Sequence, residues 1–440
     1  MSVLRLIIWC LVRLPLLILI LVLGLVMSSC TMLGLNYASL EVDNKPAPSP
    51  AIEAQALVNS SQERAALMEK FENTLYGPWP KGMPVTWGEA QIVSDNILNG
   101  KGVLKEMPVT VGEGAGARTF FLVVALPKGE GPFPVVISET FSSNCSVFPE
   151  YPVTSSDGSV CDGSDMDGIV GALVGRMFGE YIALAPLDQF MEAGIAYASF
   201  YGPDLVPDSR EQGPVVMARL GGPTEPTGTL MAWAYGFSAA IDALTAETAI
   251  DPDAVSVMGH SRYGKSALIA GVWDRRIGAV VAHQSGFAGA SLSRSHTGEG
   301  LQRMAKTYPH WLAPEVQPWL DYLDELPVDQ HELLALLAPT PVLLGNGRRD
   351  VWSDPNSSFR AAMAASAVYE AMDLPGLPEA GMQQDFRPSA GIAWWLRSGG
   401  HSIVSEDVDT FVAFLQAHLS DSSRRGSAVQ NQEKRVDSAQ

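Results

Sequence analysis

The chain is poor in cysteine, with four in 440 residues. That excludes a disulfide scaffold and a Cys-rich zinc protein. It is also poor in positive charge: 29 Lys and Arg stand against 48 Asp and Glu, a net charge of −19. Nucleic-acid binders carry a basic footprint, and this balance argues against that class. Histidine is scarce too. His283, His296, His310, His331 and His418 lack metal-ligand spacing, so neither a metal site nor a cofactor is expected. No internal repeat is visible. Apolar residues, by contrast, make up 47% of the chain and aromatics 8%. That is enough for a large core and excludes a mostly disordered protein.

Arg5 and Arg13 are the only charges before residue 41, and Leu14 to Met27 is the densest apolar run. A basic start, an apolar stretch and small residues after it read as an export segment, residues 1–29. Ser28-Ser29-Cys30 ends it in the manner of a bacterial lipobox, which makes Cys30 the lipidation site. An uncleaved anchor over Ile7 to Met27 and simple secretion are the alternatives. All three place the body outside the cytoplasm, and an N-terminal membrane tether in the cell envelope is expected. Dropping residues 1–29 removes two arginines and takes the net charge from −19 to −21.

Residues 30–55, with Asn44 to Pro50 (NKPAPSP), read as a linker, and the polar residues 420–440 as a disordered tail. The folded body is then residues 56–419, expected as a monomer. Cys145 and Cys161 lie 16 apart in a loop rich in Ser, Asp and Gly. Outside the cytoplasm such a pair is expected to form a disulfide.

Residues 118–126, 133–138, 194–200, 254–258, 279–282 and 341–344 are short apolar runs that read as strands. Helical periods fall at 228–247, 264–273 and 407–419, and Asp251-Pro252-Asp253 reads as a turn. Strands alternating with helices predict one α/β domain, a mainly parallel sheet covered by helices on both faces as a three-layer sandwich.

Gly259-His260-Ser261-Arg262-Tyr263-Gly264-Lys265-Ser266 lies between a strand and a helix. It satisfies the phosphate-loop pattern G-x-x-x-x-G-K-[ST] and equally places a serine where a nucleophile elbow has one. The pattern alone does not choose. An exported chain meets little nucleotide triphosphate, several strands precede the motif, and no apolar strand ending in a metal-binding Asp follows. The elbow instead requires an acid and then a histidine, each on a loop after a strand. Asp350 follows the strand at 341–344, and His401 follows Ile392 to Leu396 through Ser398-Gly399-Gly400. Ser261 is then the nucleophile, His401 the base and Asp350 the acid that holds the imidazole. The backbone N–H of Arg262 becomes an oxyanion donor. Lys265, one helical turn after Ser261, faces the same pocket. His260 packs against the sheet.

The elbow departs from G-x-S-x-G: Tyr263 stands two after the serine and glycine comes one later. This Gly-x-Ser-Arg-x-Gly-Lys pattern resembles the glucuronoyl esterases, carbohydrate esterase family 15. The resemblance includes Gln284-Ser285-Gly286, Tyr308-Pro309-His310-Trp311, Asp350-Val351-Trp352-Ser353-Asp354-Pro355 and Arg397-Ser398-Gly399-Gly400-His401. It covers about residues 60–419. It implies an α/β-hydrolase fold, no metal, and hydrolysis of esters of glucuronic acid, often 4-O-methylated, in plant or algal polysaccharide. It implies Arg262 as an oxyanion and carboxylate contact, Lys265 and Glu299 on the sugar hydroxyls, and Trp352 packed on the sugar. Two departures stand out. Many members carry a Glu acid where this chain has Gln284, which leaves Asp350 to act alone. Many also carry Gln or Glu where this chain has Thr307, which weakens the expected grip on the uronate.

The expected activity is therefore that of a serine esterase acting on uronate esters through an acyl-enzyme. Its rivals are a carboxylesterase of another substrate class on the same triad, a non-catalytic polysaccharide-binding lipoprotein, and a phosphate-loop NTPase.

Overall fold

The computed structural model describes residues 48–161, 179–220 and 227–419. The export segment, Cys30 and the 420–440 tail lie outside the described residues. Ten strands form one sheet: β1 (Val85–Trp87), β2 (Gln91–Ile97), β3 (Gly102–Val111), β4 (Arg118–Pro127), β5 (Phe133–Thr140), β6 (Ala196–Tyr201), β7 (Ile250–His260), β8 (Ala279–His283), β9 (Val342–Gly347) and β10 (Ile392–Arg397). Their spatial order is β1-β3-β4-β6-β5-β7-β8-β9-β10, with β2 also paired to β3. The first strands are antiparallel, including the β4–β6 pair. From β6 to β10 every pairing is parallel.

Parallel strands demand crossovers, and here those are helical. The helices used below are α1 (Thr229–Leu244), α2 (Arg262–Trp273), α3 (Leu301–Thr307), α4 (Gln330–Leu337), α5 (Pro355–Glu370) and α6 (Ser405–Leu419). Successive side chains of a strand point to opposite faces. Val342, Leu344, Ile392 and Trp394 accordingly join one core cluster with Trp233 of α1, Leu268 of α2, Leu334 of α4 and Phe359 of α5. Leu343 and Ala393 join a second with Phe411 and Phe414 of α6. Strands buried on both faces read as unbroken apolar runs, which is why β4 to β9 stand out in the sequence.

Four features differ from the sequence expectation. β1 to β3 carry no such run, because they form an edge where Thr86, Lys105 and Glu106 interrupt the apolar pattern. Asp251-Pro252-Asp253 is not a turn between elements but the start of β7, absorbed by a register shift between Phe133 and Val135 of β5. The stretch assigned to a linker up to residue 55 is docked from Ser49 on. The Pro50 carbonyl meets His331 Nε2 at 2.6 Å, and a helix runs Ala54–Asn59. Finally, α5 is entered through Asp354, a left-handed residue (φ 50°) whose side chain caps Ser357 N–H. A cap of this kind is local chemistry that the repeat of apolar residues does not announce.

Candidate active site

Because β7 to β10 are parallel, the loops after them gather along one edge, the edge at which open α/β sheets bind their ligands. Ser261 follows β7, Gln284 follows β8, Asp350 lies three residues after β9 and His401 four after β10.

Ser261 has φ 55° and ψ −122°, a conformation that costs a non-glycine residue free energy. The turn holds it there. A Cβ on Gly259 would lie 2.0 Å from the Tyr263 carbonyl oxygen, and one on Gly264 would press on Gly259 and Ser285. Glycine is thus needed three residues after the serine, and Tyr263 two after it is free to fill the core against Trp233 (5.3 Å) and Phe141 (4.7 Å). The Ser261 N–H donates to His283 O at 2.8 Å, tying the elbow to β8.

His401 Nδ1 is 2.7 Å from Asp350 Oδ2. Burial alone would raise the Asp350 pKa. The charge of His401 and hydrogen bonds from His401 and Ser353 outweigh it and hold the carboxyl below its ordinary range. The other side of His401 is backed by His260, the residue directly before Ser261, with ring centroids 4.5 Å apart. His260 is buried, and its Nδ1 is 2.9 Å from His283 Nδ1. Burial first, and then the charges of His401, His283, Arg397 and Arg262, push its pKa well below the usual value. His260 is therefore a neutral plate between sheet and imidazole, in keeping with a packing role.

Arg262 opens α2. The first N–H groups of a helix have no intrahelical acceptor, so its amide is open to an oxyanion. Its guanidinium is paired with Asp208 and lies over Trp311 (4.9 Å), Tyr308 (5.6 Å) and Phe141 (5.7 Å). Nε is buried with no hydrogen-bond partner among the described residues. Asp208 also accepts from Trp311 Nε1 (2.7 Å) and meets His310 Nε2 at 2.8 Å. These bonds and the Arg262 charge overcome burial and keep Asp208 ionised below its ordinary pKa. Sequence reasoning missed Asp208. The only available signal was indirect: a part-buried arginine beside a nucleophile needs a counter-ion.

Lys265 is buried, and Nζ donates to Ser285 O and, at 2.7 Å, to Phe287 O. Two of its three donors are thus spent. Burial, the largest cause, and the nearby Arg262 lower its pKa to about 8 against the attraction of Glu299 and Asp350. Glu299 is anchored by its N–H on Trp352 O (2.9 Å). Burial raises its pKa, while Lys265, Arg303 and His401 pull the other way. Trp352 is 45% exposed, and the Arg303 guanidinium covers its ring at 4.5 Å. Arg303 is a second residue the sequence reading missed. It sits one turn after Glu299 on α3 with no motif to mark it. Thr307 is exposed, and its hydroxyl donates back to Arg303 O at 2.9 Å.

The elbow pattern's rival fares poorly here. In a phosphate loop the Lys and Ser side chains would turn to the ligand. Lys265 is instead bound to carbonyls, and Ser266 Oγ donates to the buried Glu139. Of the remaining described histidines, His310 is engaged with Asp208, His331 with Pro50 O and His418 with Ala390 O, while His296 is exposed. Cys145 and Cys161 are joined in a disulfide, Cα–Cα 5.4 Å, in the loop after β5 on the same edge of the sheet.

A serine on a strained strand-to-helix turn, near a partly exposed histidine paired with a buried aspartate, on a sheet of this order, defines an α/β-hydrolase of the carboxylic-ester hydrolase class. Comparison narrows it. The family model for fungal glucuronyl esterase matches residues 175–373. A carbohydrate esterase from an unknown prokaryotic organism is 29% identical over 402 residues, 88% of this chain and 92% of that protein. The 4-O-methyl-glucuronoyl methylesterase of Schizophyllum commune is 36% identical over 176 residues, 38% of this chain and 44% of that enzyme. Among solved structures, a promiscuous family 15 esterase from a marine bacterial metagenome superposes with a TM-score of 0.73 at 27% identity, covering 86% of this chain and 99% of its own. Over most of its length the chain is thus similar to carbohydrate esterase family 15, the glucuronoyl esterases.

Proposed function

We propose that this protein is a serine esterase that hydrolyses esters of (4-O-methyl-)glucuronic acid in plant or algal polysaccharide through an acyl-enzyme. The observation that carries the reading is the 2.7 Å bond between His401 Nδ1 and Asp350, at the sheet edge where Ser261 is held on its turn. In the first half-reaction Ser261 Oγ attacks the ester carbonyl carbon and His401 Nε2 takes its proton. Asp350 fixes the tautomer and stabilises the imidazolium. The Arg262 amide and guanidinium meet the negative oxygen; one such donor is worth about 3 kcal/mol of barrier. His401 then protonates the departing alcohol oxygen, leaving the uronoyl group on Ser261. Water repeats the sequence with His401 as base, freeing the uronate carboxylate and restoring Ser261.

Substrate recognition falls to Lys265, which spends two of its three donors among the described residues, to the Glu299 carboxyl and to the exposed ring of Trp352. A flat indole suits a pyranose ring, and Arg303 on its other face adds planar donors. The fungal relative's name specifies 4-O-methyl-glucuronoyl esters, which supports a uronate on the acyl side. The specific observation favouring a second reading, a broader carboxylesterase, is Thr307, which spends its hydroxyl on its own helix and offers a uronate nothing.

The test is hydrolysis of benzyl or methyl glucuronate beside an acyl p-nitrophenyl ester. Turnover of the uronate ester, abolished in Ser261→Ala and reduced about 10⁴-fold in Asp350→Asn, is expected. Turnover of the acyl ester alone would keep the triad and discard the substrate. Full uronate activity in Asp350→Asn would remove Asp350 as the acid. Export, lipidation of Cys30 and a monomeric body rest on the sequence. Mass analysis of the mature N-terminus tests the first two, and light scattering the third.

A further inference from the structure

Gln284 is buried and left-handed (φ 48°) directly after β8. Its backbone N–H donates to Gly345 O at 2.7 Å, and its carbonyl accepts from Ser353 Oγ at 3.3 Å. Its side chain reaches the loop that carries His401. Nε2 donates to Gly400 O at 2.8 Å, and Oε1 accepts from Ser402 N–H at 3.0 Å. The two partners are a carbonyl and an amide N–H, so they fix which end of the side chain is nitrogen. One buried side chain thus spends both ends on the two residues flanking His401. The fit is close, since a Cβ on Gly347 would lie 2.4 Å from Gln284 Nε2.

Asp350 restrains the imidazole only at Nδ1. Where the ring sits relative to Ser261 depends on the main chain of residues 400–402 as well. Resting on the esterase reading above, we infer that Gln284 is a positioning residue for His401, and that its function needs a donor and an acceptor together. A glutamate of the same size would keep the bond to Ser402 N–H and set an oxygen against Gly400 O. A methionine would remove both bonds and keep the volume.

The test uses the full-length enzyme and its Gln284→Glu and Gln284→Met variants, with kcat and KM on a uronate ester and titration by a fluorophosphonate. A displaced general base slows chemistry without touching substrate, and a misplacement near 1 Å can cost about 100-fold. Both variants are expected to lose about 10- to 100-fold in kcat, with KM within about twofold of wild type. Each should still bind one phosphonate per chain, only more slowly. Wild-type kcat in Gln284→Met would overturn the inference. So would activity in Gln284→Glu that survives Asp350→Asn, because position 284 would then be an acid site. Labelling stoichiometry falling in step with activity in both variants would also overturn it, by showing a role in folding alone. If the wild-type enzyme hydrolyses neither ester and takes up no phosphonate, the esterase reading itself fails; turnover by wild type confines any failure to Gln284.

Discussion

Lys265 shows how one side chain ties pH to recognition. Its ammonium is buried between two carbonyl oxygens, with a pKa lowered to about 8 mainly by burial. A lysine with a depressed pKa loses its charge as pH rises through that value, well before an exposed lysine does. If its third donor grips a uronate hydroxyl, KM for a glucuronate ester should climb above about pH 8. KM for an acyl p-nitrophenyl ester should stay flat over the same range. In Lys265→Met the climb should vanish and the uronate KM should be high throughout. A pH-independent uronate KM in the wild-type enzyme would confine Lys265 to bracing the Ser285–Phe287 loop. The residue scale also separates what sequence reveals from what it hides. Ser261, Asp350 and His401 were readable because elbow chemistry prescribes their order and their places after strands. Asp208, Arg303 and the clamp made by Gln284 were not. Each acts through a partner far along the chain or on a bare helix surface, as Asp208 does with Arg262 at 54 residues' separation. Gln284 in particular reads from sequence as a missing acid, and only its two bonds around His401 show an amide in use.

At the scale of elements, the loop after β10 is held by an ion pair beneath it. Arg397 Nε meets Asp407 of α6 at 2.7 Å, and Nη2 donates to Gly400 O (2.9 Å) and Ser402 O (2.6 Å). Burial would raise the Asp407 pKa, yet His283, Arg397 and the Val404 N–H bring it to about 2. A Cβ on Gly399 would fall 1.6 Å from Arg397 Nη1. Gly399→Ala must therefore swing the guanidinium out, leaving the buried Asp407 short of a partner. Breaking such a pair costs about 3–5 kcal/mol. Denaturant unfolding should show a loss of that order, together with a fall in kcat as His401 loses its seat. A variant within about 0.5 kcal/mol of wild type would mean that the loop yields freely. The disulfide of the loop after β5 makes a second prediction. Closing 16 residues restricts the unfolded chain by about 3 kcal/mol. Cys145→Ser with Cys161→Ser should lower stability by that amount, and an unchanged unfolding midpoint would show that the loop is already ordered by Asn144 and Thr154, which bond to Phe121 O and Glu106. Elements buried on both faces were legible as apolar runs. The edge strands β1 to β3 and the helix α5 were not, because half-exposed strands and capped helix starts are written in polar residues.

For the whole molecule, charge sets how the site meets its substrate. The chain carries −19, or −21 without its first 29 residues. At about 0.01 M salt that field reaches about 30 Å, and at 0.1 M about 10 Å. A polysaccharide bearing free uronates is repelled over the longer range, whereas a small methyl uronate ester is neutral and feels little of it. Exposed cations nevertheless lie along α3, near the site. Arg303 and Lys306 of α3 are exposed, and so is Arg210, whose guanidinium donates to Lys306 O and Thr307 O at 3.3 Å. Salt should therefore first remove the long-range repulsion while these nearby cations still act. kcat/KM on an acidic polymer is expected to rise several-fold between about 0.01 and 0.1 M salt and to fall again at higher salt, while the monomer ester stays level. A polymer rate that falls from the first addition of salt would give control to the cations at the mouth. Equal responses of polymer and monomer would mean that net charge plays no part in substrate capture.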